Sequence, residues 1–65
     1  MKNERYVITD GTWFLTGSSN FTREAMLALK FADRPAVDAR LKVVAHVVGN
    51  SFRVRRLNLM TGGVR

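Results

Sequence analysis

Arg5-Tyr6-Val7-Ile8-Thr9-Asp10-Gly11-Thr12-Trp13-Phe14-Leu15-Thr16 is the stretch that decides the fold. Its two arms are rich in β-branched and aromatic residues, and Asp10-Gly11 separates them. Asp-Gly tolerates the positive φ angles of a tight hairpin turn whose twist matches the strands. A two-residue loop would pair Thr9 with Thr12, Ile8 with Trp13, Val7 with Phe14 and Tyr6 with Leu15. Tyr6, Ile8, Trp13 and Leu15 then share one face, which is the expected core face. Val7 and Phe14 lie on the other.

Downstream, Gly17-Ser18-Ser19-Asn20 reads as a loop. Residues 22–32 carry two signals. Thr22-Arg23-Glu24-Ala25 can begin a helix capped by Asn20 or Thr22, while Leu27, Leu29 and Phe31 alternate as in a strand. The expectation is one or two helical turns at 22–27 running into an extended segment at 28–32. Asp33-Arg34-Pro35 then starts a helix, since proline suits a first turn and Asp33 or Arg34 can cap it. Val37, Leu41, Val44 and Val48 form its stripe, and Gly49 ends it. Ala36, Val43 and Val47 fall on one flank of that stripe, so the apolar arc is wider than one small sheet needs. That flank is a candidate surface for self-association, and a homodimer is one expected form. Ser51 to Met60 reads as the last strand. There Phe52 and Val54 alternate with Arg53 and Arg55, and Leu57 and Leu59 stay on the apolar side only if a bulge sits at Arg55-Arg56. Thr61-Gly62-Gly63-Val64-Arg65 reads as a flexible tail. The expected fold class is α+β: an N-terminal hairpin, a short middle helical turn or strand, one main helix packed on a small antiparallel sheet, and a C-terminal strand. Residues 1–60 form the single expected domain and 61–65 the tail.

Charge is distributed unevenly. Lys2, Arg5, Arg23 and Lys30 balance Glu4, Asp10, Glu24 and Asp33, so residues 1–33 are neutral. Arg34, Arg40, Lys42, Arg53, Arg55, Arg56 and Arg65 face only Asp38, so the second half carries the whole net charge of +6. A basic face of Arg40, Lys42, His46, Arg53, Arg55 and Arg56 is therefore the candidate partner-binding site, and it would attract phosphates or acidic protein surfaces. Arg53 and Arg55 project from one side of a strand. Arginine forks suit carboxylates and phosphates better than lysine does. The competing reading is a solvated face that keeps a small protein soluble and guards an edge strand.

Other chemistry finds little support. Cysteine is absent and His46 is the only histidine, so no nucleophile–base pair and no metal-ligand set is recognisable. Asp10 reads as a turn residue, Asp33 as a cap, and Glu24 as a first-turn residue favoured by the helix dipole. No catalytic residue, metal or cofactor is expected, and an enzyme is not. No apolar run reaches the roughly 20 residues a membrane helix needs. The polar N-terminus does not read as a signal peptide, and the lack of cysteine favours the cytoplasm. With 65 residues and 46% hydrophobic content, a folded but marginal domain is expected.

Tyr6-Val7-Ile8, Asp10-Gly11, Phe14-Leu15-Thr16, Phe21-Thr22 and Ala28-Leu29-Lys30-Phe31, with Asp33 and Ala36, form a string over about residues 6–41. It resembles the small orphan proteins of β-hairpin–helix–strand type encoded by bacteriophages and prophages. The resemblance implies a non-enzymatic interaction protein acting on a host protein or nucleoprotein complex in the cytoplasm of a bacterial cell. Anti-CRISPR proteins and other host-takeover inhibitors are among its kinds. Such proteins share no site motif, so no functional residue carries over. The rival expectations are a small regulator that binds DNA or RNA directly through the same arginines, and a structural homo-oligomer. Neither an RNA-recognition signature nor a glycine clamp for nucleotides is present, and Tyr6 and Trp13 are expected in the core.

Overall fold

A computed structural model describes residues 3–17 and 20–65. It has a four-stranded antiparallel sheet and one long helix. The strands are β1 (Glu4–Thr9), β2 (Phe14–Leu15), β3 (Phe21–Thr22) and β4 (Arg53–Asn58), in the order β3-β2-β1-β4. The helix α1 (Arg34–Val48) crosses one face. Short 3₁₀ turns occupy Ala25–Leu27 and Gly49–Ser51. The α+β class expected from the sequence is the one found.

The hairpin turn is longer than Asp-Gly alone predicts. Thr9 pairs with Phe14, so residues 10–13 form the loop. The Asp10 Oδ1 accepts from the backbone N–H groups of Thr12 at 2.9 Å and Trp13 at 2.8 Å. Thr9 adds a hydroxyl bond to the Trp13 carbonyl at 2.7 Å and accepts from Gly11 N–H at 2.9 Å. Gly11 takes φ +105°, as a glycine can. A side chain that satisfies two backbone donors makes the wider turn favourable. The register therefore moves by two residues from the expected one. An even shift leaves the faces unchanged, so Tyr6, Ile8 and Leu15 still point together. Trp13 leaves the core: it sits in the loop, 41% exposed, with the Arg23 guanidinium 5.1 Å from its ring centre.

Both faces of the sheet are apolar at the centre. Ile8 and Leu15 pack with Val37 and Val44 of α1, and Tyr6, Phe21, Phe31, Leu41, Val48, Phe52 and Val54 surround them. The expected helix stripe thus meets the expected strand face. On the opposite face Val7, Phe14, Ala28 and Leu57 form a second cluster with Ala25 and Leu59 against it. The turn at Ala25–Leu27 supplies that cover. Of the one or two helical turns expected at 22–27, a single 3₁₀ turn forms, at Ala25–Leu27, and Thr22 belongs to β3 instead. Phe31 then bonds reciprocally with Tyr6 at 2.8 and 2.9 Å, and Leu29 N–H reaches the Leu15 carbonyl at 2.8 Å.

β4 pairs with β1 without interruption from Thr9↔Arg53 to Glu4↔Asn58, so no bulge interrupts Arg55-Arg56. Strand alternation therefore turns Val54 toward α1 and Leu57 away from it. The second cluster makes a bulge unnecessary, because Leu57 finds Val7 and Phe14 on its own side. Residues 61–65 also depart from the expected tail. The Asn58 side chain accepts from Met60 and Thr61 N–H, and Gly62 turns at φ +76°. Val64 then bridges Leu57, with Arg56 and Arg65 exchanging backbone bonds of 3.1 and 2.8 Å.

At its ends the helix follows the expected signals. Asp33 is the N-cap residue, though its side chain makes no capping bond, and Pro35 lies in the first turn. Gly49 ends α1 at φ +80°, a value that favours glycine. Among the described residues, no helix is long and apolar enough to cross a membrane.

Candidate anion-binding surface

β4 is one of the two edge strands of the sheet, and it carries three of the six candidate residues. The unbroken register sorts them. Arg53 and Arg55 lie opposite Thr9 and Val7 and share the outer face of the sheet, away from α1. Both are exposed. Arg56 lies opposite Tyr6 and therefore projects on the helix side, where the Arg34 guanidinium stands 5.7 Å from the Tyr6 ring centre. Arg56 would extend the patch only with a bulge at Arg55-Arg56; in the unbroken ladder the three arginines are divided between the two faces of one strand.

The helix cations separate too. Arg40 falls on the helix row of Ala36 and Val43, being four residues from one and three from the other. Lys42 and His46 form a neighbouring exposed row. Lys42 joins the β4 arginines: with Leu41, Ala45, Gly49, Asn50, Phe52 and Arg53 it lines a groove of about 330 Å³ between α1 and the start of β4. The structure therefore brings Lys42 beside Arg53 at the start of β4, while Arg55 lies two residues further along the outer face. It leaves Arg40 and His46 outside that grouping. On the expected self-association flank, Val43 is 63% and Val47 73% exposed, and Ala36 is exposed as well.

Among the described residues the two ion pairs are Arg34–Asp38 at 3.1 Å and Arg65–Glu4 at 3.3 Å. Both are exposed enough to contribute little to stability. Arg40, Lys42, Arg53, Arg55 and Arg56 enter neither pair. Asp10 is the group whose acidity is visibly tuned. The Trp13 N–H, then the Thr12 N–H, stabilise its carboxylate and hold its pKa below the ordinary value. It is a turn residue, as expected, and directly follows Thr9, the residue opposite Arg53, so it lies at the Arg53 end of β1.

Two features of this surface are not evident from composition. Arg5 belongs to the charge-balanced half of the sequence, yet it lies opposite Leu57 and so shares the outer face with Arg55. It is half-buried, and its Nη1 donates to the Glu4 carbonyl at 2.8 Å. Only pairing of the first strand with the last reveals that proximity. The second feature is the edge of β4 itself, which the closing residues cover along Arg56 to Asn58. Asn58 followed by Gly62 is the turn signal that could have announced this.

No family model matches the chain, nor does any curated protein or solved structure.

Proposed function

We propose that the chain is a non-enzymatic interaction protein that docks Arg53 and Arg55 against an acidic surface of a host protein or nucleoprotein complex. An inhibitor of the phage type, anti-CRISPR-like in its action, is the specific form of this reading. The observation that carries it is the pair of exposed arginines side by side on the outer face of an edge strand, in neither of the ion pairs among the described residues. Strand neighbours two apart are separated by roughly 7 Å, a spacing that lets two guanidinium forks engage separate carboxylates. Direct binding of DNA or RNA draws on the same charges. It is less favoured because base stacking needs an exposed ring beside the cations. The exposed Trp13 lies in the hairpin loop with Arg23 on its ring, and Phe14, on the arginine face, is only 8% exposed. Self-association through Ala36, Val43 and Val47 is proposed as a separate property of the helix flank, supported by the exposure of its two valines.

Charge reversal tests the reading. The double variant Arg53→Glu/Arg55→Glu is compared with Arg23→Glu/Arg40→Glu, which changes the charge equally but away from β4. A pull-down from the host lysate supplies the partner, and its affinity is measured for each protein. The β4 variant is expected to lose binding and the control to keep most of it. Equal losses would contradict the reading. A strong fall in affinity with salt and competition by duplex DNA would favour nucleic acid.

A further inference from the structure

The closing residues cover only part of the β4 edge. Arg56 exchanges both backbone bonds with Arg65, and Asn58 N–H donates to the Gly63 carbonyl at 2.8 Å. Backbone groups in a strand alternate sides with period two, so Val54 directs its N–H and C=O to that same edge. No described residue pairs with β4 there, since the sheet ends at this strand and the bridge to the closing residues is at Leu57↔Val64. Val54 is flanked by the exposed Arg53 and Arg55. The groove of Leu41, Lys42, Ala45, Phe52 and Arg53 opens beside it.

We infer that an extended acidic segment of the partner adds to the sheet as a new strand beside Val54. The inference rests on the acidic-partner reading and specifies its contact. A residue placed opposite Val54 exchanges two backbone bonds with it and shares its face, the α1 side. An apolar side chain there meets Leu41, Ala45 and Phe52 in the groove. The residues before and after it point to the outer face, beside Arg53 and Arg55, where carboxylates suit them. The recognised pattern is therefore acidic–apolar–acidic, with main-chain bonds supplying affinity and the alternate side chains specificity. A second copy of β4 is the wrong occupant, because edge-to-edge pairing would set arginines against arginines. The charge that repels another copy is the charge that admits an acidic strand.

A labelled peptide, Glu-Thr-Asp-Leu-Asp-Thr-Glu, tests this by fluorescence anisotropy. N-methylating the leucine removes the N–H aimed at the Val54 carbonyl and should weaken binding about tenfold, the loss of one well-made bond. N-methylating a neighbouring aspartate, whose N–H points away, should change affinity by less than about threefold. On the protein, Val54→Pro removes an edge donor without touching the β1 ladder and should weaken binding about tenfold as well. The peptide series keeps the test decisive should that variant fold poorly. Equal affinity for the two methylated peptides, or no binding of the parent peptide, overturns strand addition. Poly-glutamate binding that Arg53→Glu/Arg55→Glu abolishes would leave the acidic-partner reading standing in that event. Peptide binding that survives the charge reversal overturns that reading instead.

Discussion

Replacing Leu57 with alanine tests whether the sheet has a second core. Leu57 is 0% exposed and contacts Val7, Phe14 and Ala28 on the face that α1 does not cover. Burying a leucine side chain is worth roughly 1.5–3 kcal/mol, and Leu→Ala in a core costs about 2–5 kcal/mol with its cavity. Here the cover is one short turn at Ala25–Leu27 and Leu59. Such thin cover relaxes more easily than a helix, which places the expected cost low in that range, at about 2.5 kcal/mol. An unfolding entropy of about 2.1 cal/mol/K per residue gives a 65-residue chain about 0.14 kcal/mol/K. The melting temperature should then fall by about 18 °C. Circular dichroism melts at fixed concentration read this directly. Leu27→Ala is the control: Leu27 is exposed, so its loss should cost under about 0.5 kcal/mol. A Leu57→Ala melt within a few degrees of the parent would refute the second core and the register that creates it.

Asp10→Asn should lower stability at neutral pH, because the carboxylate accepts from Thr12 and Trp13 N–H. Since folding depresses the Asp10 pKa, its contribution is present above the unfolded value and is lost as pH falls through the folded one. Urea midpoints of parent and variant should therefore converge in acid; a constant gap down to low pH would show that the charge plays no part. On the helix, Val43→Lys/Val47→Lys should reduce any self-association seen by sedimentation while leaving the melt nearly unchanged, because both side chains are exposed. A parent that stays monomeric at high concentration would remove that flank as a contact surface.

The sequence carries the architecture in its strongest local signals. Asp10-Gly11, Asp33-Arg34-Pro35 and Gly49 each mark a boundary that the structure uses, and the stripe of Val37, Leu41, Val44 and Val48 packs as its period requires. Non-local facts were harder to read. Trp13 looks like a core residue until the Asp10 side chain widens the turn and lifts it out. Leu57 reads as needing a bulge because periodicity in one strand cannot reveal that the opposite face is also covered. The same reason hides part of the candidate site. Arg53 and Arg55 share a face by simple alternation, but the separation of Arg56 follows from the missing bulge, and the nearness of Arg5 from pairing with β1. That Lys42 joins Arg53 while Arg40 does not depends on how α1 lies across β4.

Contact through the first half of β4 and contact through basic charge in general differ in which amides they disturb. An NMR titration of the ¹⁵N-labelled protein with the peptide Glu-Thr-Asp-Leu-Asp-Thr-Glu separates the two. The largest amide shifts are expected on Arg53, Val54 and Arg55, with Lys42 following and Ala36, Arg40 and Val47 nearly still. Shifts centred on the helix flank, or spread evenly over every arginine, would contradict contact through the first half of β4.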